Sequence, residues 1–288
     1  MPSMKFDPRL LPSLLPIALL VGAFLALAQS SKAVVPPGYH LAWADEFSLE
    51  QDGLPDPAKW IYEEGFIRNN ESQYYTKARL ENARIERGQL IIEARKEDYA
   101  GGSLIHHPLA HYTSAALETR TKADWTYGRI EVRAKLPAGK GVWPAIWTLG
   151  TNEGDPKVRW PKCGEIDIME LVGWEPGVIH GTLHYFVKGK HASEGSQLAV
   201  DHPESVFHVY AAEWTPERID LFVDAQKYVS FDVNKAENDG QNPFRQPHFL
   251  LLNVALGGGW GGKIDDSIFP QRMVIDYVRI YQKSTPSP

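Results

Sequence analysis

Short segments in which apolar and polar residues alternate recur along this chain, and they constrain its fold more than any other feature. Residues 89–96, 129–135, 206–213 and 218–224 all show this alternation. A period of two is typical of strands with one buried face, whereas an amphipathic helix repeats about every 3.6 residues. No long helical stripe follows the first 28 residues. The pattern therefore predicts an all-β protein of many short antiparallel strands, arranged as a β-sandwich.

The segment from Gly164 to Val172 combines this alternation with three carboxylates and reads GEIDIMELV. In a regular strand Glu165 and Asp167 share one face, whereas Glu170 points to the other. A bulge, which adds one residue to the strand, would bring Glu170 beside the other two acids.

Two interpretations of these acids are open at this point. Carboxylates that alternate with apolar residues are often just solvated on a half-exposed antiparallel strand. Three acids on one partly buried face, however, repel each other and cost free energy to desolvate, which is typical of a catalytic site. Two carboxylates about 5–5.5 Å apart are what a retaining glycosidase needs.

Further motifs in a fixed order favour the catalytic interpretation. They include GRIEVRAKLP at 128–137, GVWPAIWTLG at 141–150, the acidic segment itself, EWTP at 213–216 and DYVRIY at 276–281. Together they resemble the family 16 glycoside hydrolases, in particular the laminarinase-like endo-β-1,3-glucanases, over nearly the whole chain. The resemblance implies a jelly-roll β-sandwich (concanavalin A-like) of two antiparallel sheets with a concave substrate cleft.

The same resemblance implies a role for each acid. Glu165 matches the nucleophile, Glu170 the general acid/base, and Asp167 the residue that orients Glu165. The spacing E-x-D-x-x-E is that of the laminarinase-like branch, whereas lichenase-like members have E-x-D-x-E. Since a negative charge raises the pKa of its neighbour, Glu165 and Asp167 are expected to keep Glu170 protonated until Glu165 is consumed.

A set of substrate-binding residues also follows from the resemblance. Indole rings stack on the apolar faces of sugars, although each of these tryptophans has core packing as its alternative. Trp260 lies in the glycine run 257–262, which predicts a loop at the edge of the cleft, with a simple tight turn as the alternative. The expected substrate-binding residues are Asn70, Glu71, Trp143, Trp147, Trp160, His184 and Trp260.

A metal ion is expected from the resemblance, away from the cleft. Relatives in this family often bind a structural Ca²⁺ on the convex face, and the matching positions are Glu46, the backbone carbonyl of Gly88, and Asp276. Oxygen ligands suit this ion. No cofactor is expected to take part in the chemistry.

The first 28 residues predict a signal peptide. Lys5 and Arg9 precede a mostly apolar run from Leu10 to Leu27, and Ala26 to Ala28 fits a small-x-small cleavage site. The alternative is an uncleaved membrane anchor, for which the run is short. We therefore expect a secreted or periplasmic protein in which residues 29–288 form a single catalytic domain, without contact to a membrane and as a monomer.

The net charge of the chain indicates which classes of partner it can bind. A formal net charge of −6 disfavours nucleic acid and anionic membranes and suits a neutral polysaccharide. We expect a retaining endo-glycosidase that hydrolyses internal β-1,3 linkages of laminarin-type β-glucan, with mixed β-1,3/1,4-glucan as a further substrate. The alternatives are a non-catalytic β-glucan-binding protein, a family 16 enzyme for another polysaccharide, and a transglycosylase. Recognition proteins of this kind typically lack the acids that are present here.

Overall fold

The computed structural model of the protein describes residues 33–48, 52–101 and 109–284. These residues belong to one compact unit, Lys32–Pro288. The predicted signal peptide, residues 1–28, lies outside the described residues.

Secondary structure in the described residues is almost entirely β. The strands are β1 (Tyr39–Asp45), β2 (Ile61–Tyr62), β3 (Tyr74–Tyr75), β4 (Ala83–Glu86), β5 (Gln89–Tyr99), β6 (Ala110–Ser114), β7 (Ala116–Glu118), β8 (Gly128–Lys135), β9 (Val142–Gly150), β10 (Glu165–Glu170), β11 (Val178–Val187), β12 (Lys190–Ala199), β13 (His208–Trp214), β14 (Arg218–Val223), β15 (Gln226–Asp232), β16 (His248–Leu256) and β17 (Gln271–Lys283). Connections contain one short helix, α1 (Gly258–Gly261), and 3₁₀ turns at Val233–Ala236, Pro243–Arg245 and Asp266–Ile268. Within these ranges, no helix has the length and apolar character of a membrane span.

The strands form two sheets. The larger has the order β15-β14-β13-β8-β17-β5-β6-β3, with β1 paired to β17 and β4 paired to β5. The smaller has seven strands in the order β12-β11-β10-β9-β16-β7-β2. Pairing is antiparallel except between β3 and β6, a short parallel contact that the sequence pattern did not predict. The predicted all-β architecture is confirmed, and β5, β8, β13 and β14 coincide with the four alternating segments.

Strand β8 shows how the alternation produces a sandwich. Ile130, Val132 and Ala134 are buried in the core between the sheets. Arg129 faces outward and donates hydrogen bonds to Glu131 at 2.6 Å and, on the neighbouring strand, to Glu213 at 2.8 Å. Each strand of this kind thus buries one face and keeps a charged, paired face towards solvent.

The centre of the smaller sheet is buried on both faces. All nine residues of β16 are buried. Leu250 and Leu252 belong to the core between the sheets, whereas Phe249 and Leu251 point the other way and join a second cluster with Trp147 of β9. This second cluster lies beneath the groove in which the acids of β10 are found.

Candidate active site

The three acids of β10 line one groove because the strand contains a bulge. Asp167 pairs with Thr182 of β11, and Glu170 pairs with His180. Three steps along β10 therefore correspond to two steps along β11, and the register with β9 shifts at the same place. The extra residue turns Glu170 to the face of Glu165, and all three carboxylates line the groove. The predicted bulge is confirmed.

A tyrosine from the next layer holds this bulge. Tyr228 of β15 donates a hydrogen bond of 2.6 Å to the backbone carbonyl of Ile168. Ile168 and Met169 are adjacent, yet both belong to the core between the sheets, whereas regular alternation would point them to opposite faces. Gly181 leaves room for this contact, since a Cβ there would lie 2.5 Å from the Tyr228 hydroxyl. The sequence did not reveal Tyr228, because its partner is a backbone atom.

The groove crosses the outer face of the smaller sheet and encloses about 350 Å³. Strands β9, β10 and β16 supply its floor, and the loops that contain Arg68 and Trp160 supply its sides. The residues that line it include Arg68, Asn69, Glu71, Trp143, Trp147, Trp160, Glu165, Asp167, Glu170 and Asn253.

Each outer acid accepts a hydrogen bond from an indole. Trp143 Nε1 donates to Glu170 Oε1 at 2.9 Å, and Trp160 Nε1 donates to Glu165 Oε2 at 2.8 Å. The Trp160 side chain remains 47% exposed, so its ring is available to a ligand in the groove. Both tryptophans were expected to bind substrate, and the structure shows that they also orient the acids.

Burial raises the pKa of all three carboxyl groups. For Glu170 the pKa rises to about 7, mainly through desolvation, with the Trp143 hydrogen bond acting in the opposite direction and the charge of Glu165 adding a smaller increase. The pKa of Glu165 is raised by burial and then by Asp167, and that of Asp167 by burial and then by Glu170. Desolvation, rather than the neighbouring charges that we expected to dominate, is therefore the main reason why Glu170 holds a proton.

His184 lies beside the acids, as expected, and has a second histidine behind it. Its Nε2 is 3.2 Å from Asp167 Oδ2, and its Nδ1 is 2.9 Å from His191 Nε2. His191 comes from the edge strand β12 and packs on Trp160, with ring centroids 4.8 Å apart. It belongs to none of the motifs above, and only the pairing of β11 with β12 brings it to the site.

Trp147 forms the floor of the groove rather than a free stacking surface. It is 7% exposed, and its Nε1 donates a hydrogen bond of 2.7 Å to Asn253 Oδ1. The guanidinium of Arg68 lies 4.9 Å from the centroid of its ring. Arg68 is itself fixed by an ion pair with Glu63. Asn253 was not predicted, because it stands in an apolar strand with no motif of its own.

The polar loop before β3 reaches the groove through a different asparagine from the one predicted. Asn69 lines the groove and donates a hydrogen bond of 3.2 Å to Glu71, whereas the exposed Asn70 lines a neighbouring depression. Both asparagines have positive φ, so the chain turns sharply between Arg68 and Glu71. Glu71 itself is buried and accepts a further hydrogen bond from Gln73 at 2.7 Å. The structure thus places Asn69 in the groove lining and Asn70 beside it, and contact of Asn70 with substrate stays a prediction.

Trp260 lies behind the groove wall. Its ring packs edge-on against Trp143 with centroids 5.6 Å apart, and against His180 at 4.9 Å. The glycine run forms the single-turn helix α1 instead of an open loop, and the Trp260 carbonyl accepts a hydrogen bond of 2.7 Å from Trp174. Trp260 thus supports Trp143 and is absent from the groove lining.

The residues matched to a calcium site have other partners. Both carboxylate oxygens of Glu46 accept hydrogen bonds from Arg279, at 2.7 and 2.8 Å, and Asp276 Oδ2 accepts one from Arg133 at 2.7 Å. Gly88 lies in the turn between β4 and β5. With arginine cations on both carboxylates, this donor set does not fit a calcium ion as it is arranged. The calcium site stays a prediction, and no step below depends on it.

Comparison with known proteins agrees with this site. The sequence pattern of the family described as "Glycosyl hydrolases family 16" matches residues 70–279. A β-glucanase from Rhodothermus marinus is 45% identical over 293 residues, which cover 98% of each chain.

Solved structures of similar proteins have the same fold. The laminarinase from Rhodothermus marinus matches with a TM-score of 0.76 and 47% identity, covering 86% of this chain and 98% of that one. A variant of LamA from Z. galactanivorans, in complex with laminaritriose and laminaritetraose, matches with a TM-score of 0.75 and 38% identity over 84% of this chain and 98% of that one. The bulged acidic strand thus stands in a chain that belongs to family 16 of the glycosyl hydrolases.

Proposed function

We propose that this protein is a retaining endo-glycosidase that hydrolyses internal β-1,3 linkages of laminarin-type β-glucan. The observation that carries the proposal is the bulge of β10, which brings Glu165, Asp167 and Glu170 into one groove. Hydrolysis with retention needs two carboxyl side chains, one that acts as the nucleophile and one that donates a proton. The similarity to a laminarinase and to a protein in complex with laminarin oligosaccharides supports β-1,3-glucan as the substrate.

In the first step, the Glu165 carboxylate attacks the anomeric carbon while Glu170 gives its proton to the departing glycosidic oxygen. A pKa of about 7 keeps a large fraction of Glu170 protonated at neutral pH, as an acid catalyst requires. Glu165 has to be ionised, although burial raises its pKa. The N–H of Trp160 and the neighbouring His184 both lower the pKa of Glu165 and so stabilise its charged form.

In the second step, water replaces the enzyme at the anomeric carbon. Once Glu165 is esterified it carries no charge, so Glu170 ionises more easily and takes a proton from the attacking water. The bond between the sugar and Glu165 breaks, and Glu165 leaves as a carboxylate. Two inversions give a product with retained configuration. Side chains supply the nucleophile, the acid and the base, so this chemistry needs no cofactor.

Asp167 and His184 act as positioning residues in this scheme. Asp167 is 2% exposed and is hydrogen-bonded to Glu165, so it fixes the direction from which the nucleophile approaches. His184 Nε2 is 3.2 Å from Asp167 Oδ2 and limits the movement of that carboxyl group.

The test compares wild-type protein with Glu165→Gln on laminarin, lichenan and agarose, with the anomeric configuration of the first product followed by NMR. We expect cleavage of laminarin with retention, and its loss in Glu165→Gln. The matched control is Glu217→Gln, because Glu217 is an exposed acid on the turn before β14. This variant should retain activity. Binding of laminarin without turnover would instead assign the protein to the recognition class, and turnover of agarose alone would overturn the substrate.

Export is a further part of the proposal. The basic start, apolar run and small-residue site in residues 1–28 support a signal peptide that is removed near Ala28. The secreted or periplasmic product would then be a monomeric domain of residues 29–288. Amino-terminal sequencing of the exported protein tests this, and an intact Met1 on the active protein would contradict it.

A further inference from the structure

We propose that Glu165, Asp167 and His184 also form a binding site for a divalent transition-metal ion such as zinc. The ion would reversibly block the acids. Inhibition of the enzyme by the bound ion rests on the proposed function, whereas binding of the ion to the protein does not.

The donor atoms already lie close to one another. One ligand atom from each of the three residues lies within 4.8 Å of the other two. Among the described ranges, 33–48, 52–101 and 109–284, this is the one group of three or more such residues with that proximity. Zinc binds both carboxylate oxygens and imidazole nitrogens, and three protein ligands leave a fourth position for water.

A buried oxygen in this group has no hydrogen-bond partner. Asp167 is 2% exposed, and its Oδ2 accepts no hydrogen bond. The nearest basic atom, His184 Nε2, is 3.2 Å away, but the two groups are not aligned for a hydrogen bond. A buried acceptor without a partner costs free energy. A cation bound jointly by Oδ2 and Nε2 would remove that cost.

Residues around the group hold its ligands in the orientation that a metal requires. The Nδ1 of His184 is hydrogen-bonded to His191 at 2.9 Å, so a proton on Nδ1 leaves the lone pair of Nε2 free on the side of Asp167. Trp160 donates to Glu165 Oε2. The other oxygen of Glu165 can bind the ion once the proton shared with Asp167 is released, as metal binding requires. Histidine ligands of metals typically have this kind of partner on the other ring nitrogen.

The donor types favour a transition-metal ion over calcium. An imidazole with carboxylates suits zinc, copper or nickel, whereas calcium takes six to eight oxygen ligands. The third acid, Glu170, lies next to the site and adds negative charge when it is ionised. Because the ion would use a lone pair of Glu165, the same carboxylate could not attack the sugar while zinc is bound.

The binding test is calorimetric titration of untagged, chelator-treated protein with zinc chloride, without any glucan. We expect one ion per chain. His184→Ala and Asp167→Asn should each abolish this binding, and His191→Ala should weaken it about 10- to 100-fold. His202→Ala is the matched control, because it removes an exposed histidine that lies 3.6 Å from Glu204, and it should bind as the wild type does. Circular dichroism establishes that each variant is folded.

Three results would overturn the site: no heat of binding, unchanged affinity in folded His184→Ala, or loss of binding in His202→Ala. Replacement of zinc by cobalt gives a second readout, since bound cobalt absorbs visible light and the band should vanish in His184→Ala. For the blocking, zinc should inhibit laminarin hydrolysis by wild-type protein, and a chelator should restore it. Zinc that binds one ion per chain without slowing hydrolysis would overturn the blocking and leave the binding site intact.

Discussion

At the scale of single residues, the site depends on how each acid is solvated. Glu170 has lost most of its contact with water, and one hydrogen bond from Trp143 replaces only part of that solvation. The balance leaves its pKa at about 7, which suits a group that gives a proton in one step and takes one in the next. The raised pKa can be tested through the pH dependence of both stability and activity.

Replacing Glu170 by glutamine should make stability less dependent on pH. The folded-state pKa of Glu170 is raised from 4.5 to about 7, so between these values the folded protein holds a proton that the unfolded chain has released. The contribution of this group to the free energy of unfolding is fully present below pH 4.5 and is lost as the pH rises through about 7. Glu170→Gln should therefore unfold at a higher temperature than wild type at about pH 8, by on the order of 5 °C.

Scanning calorimetry at about pH 5 and pH 8 checks this expectation. The difference between variant and wild type should be larger at the higher pH, whereas Glu217→Gln should show no such change. Equal differences at both pH values would contradict the raised pKa.

Removing the Trp143 donor should shift the pH dependence of activity. The indole N–H stabilises the ionised form of Glu170, so Trp143→Phe should raise the pKa further and move the alkaline limb of kcat/KM to higher pH. We also expect kcat/KM to fall by about tenfold at neutral pH, since the acid loses its orientation. The profile on laminarin is measured beside Trp174→Phe, which removes an indole outside the groove. A limb that moves to lower pH would refute this role of Trp143.

At the scale of strands, the bulge is the feature that the sequence predicted best. The spacing of Glu165, Asp167 and Glu170 requires an extra residue if all three are to share a face, and spacing is visible in a sequence. Tyr228 and His191 were not predicted, because they reach the site through strand pairing and a backbone contact rather than through a motif. The sequence also did not show that Asn69, rather than Asn70, lines the groove, since a turn with two positive φ values decides which side chain points inward.

Tyr228→Phe should weaken the bulge without changing the groove surface. The carbonyl of Ile168 would lose its 2.6 Å hydrogen bond and remain buried without a partner, at a cost of about 1–3 kcal/mol. Because the bulge turns Glu170, we expect kcat to fall while KM changes little. Tyr112→Phe, which removes a hydroxyl bonded to Asp266 at 2.6 Å on the protein surface, is the control. Wild-type kcat in folded Tyr228→Phe would show that the bulge needs no such support.

At the scale of the whole molecule, period-two alternation predicted the sandwich and marked the strands β5, β8, β10, β13 and β14. It did not predict which strands are buried on both faces, because a continuous apolar run such as β16 has no period. That double burial positions the site: one face of β16 closes the core, and the other supports Trp147 at the floor of the groove. The parallel contact of β3 with β6 was also missed, since both segments are short and irregular in pattern.

The two faces of β16 should respond differently to truncation. Leu251→Ala and Leu252→Ala each remove a fully buried side chain, and each should lower the free energy of unfolding by about 2–5 kcal/mol. Leu251 packs beneath the groove, whereas Leu252 faces the other sheet. We expect KM for laminarin to rise in Leu251→Ala and to stay near wild type in Leu252→Ala. Denaturant unfolding and kinetics on the same samples separate the two effects, and an equal rise of KM in both variants would contradict the assignment of faces.

The central claim is that Glu165 attacks the sugar and that Glu170 does not. The most direct measurement is covalent trapping with a 2-deoxy-2-fluoro β-glucan oligosaccharide that carries a good leaving group, followed by peptide mapping by mass spectrometry. The fluorine slows release of the glycosyl-enzyme, so the account predicts one sugar adduct per chain, attached to Glu165. An adduct on Asp167 or Glu170, or turnover with inversion and no adduct, would contradict it.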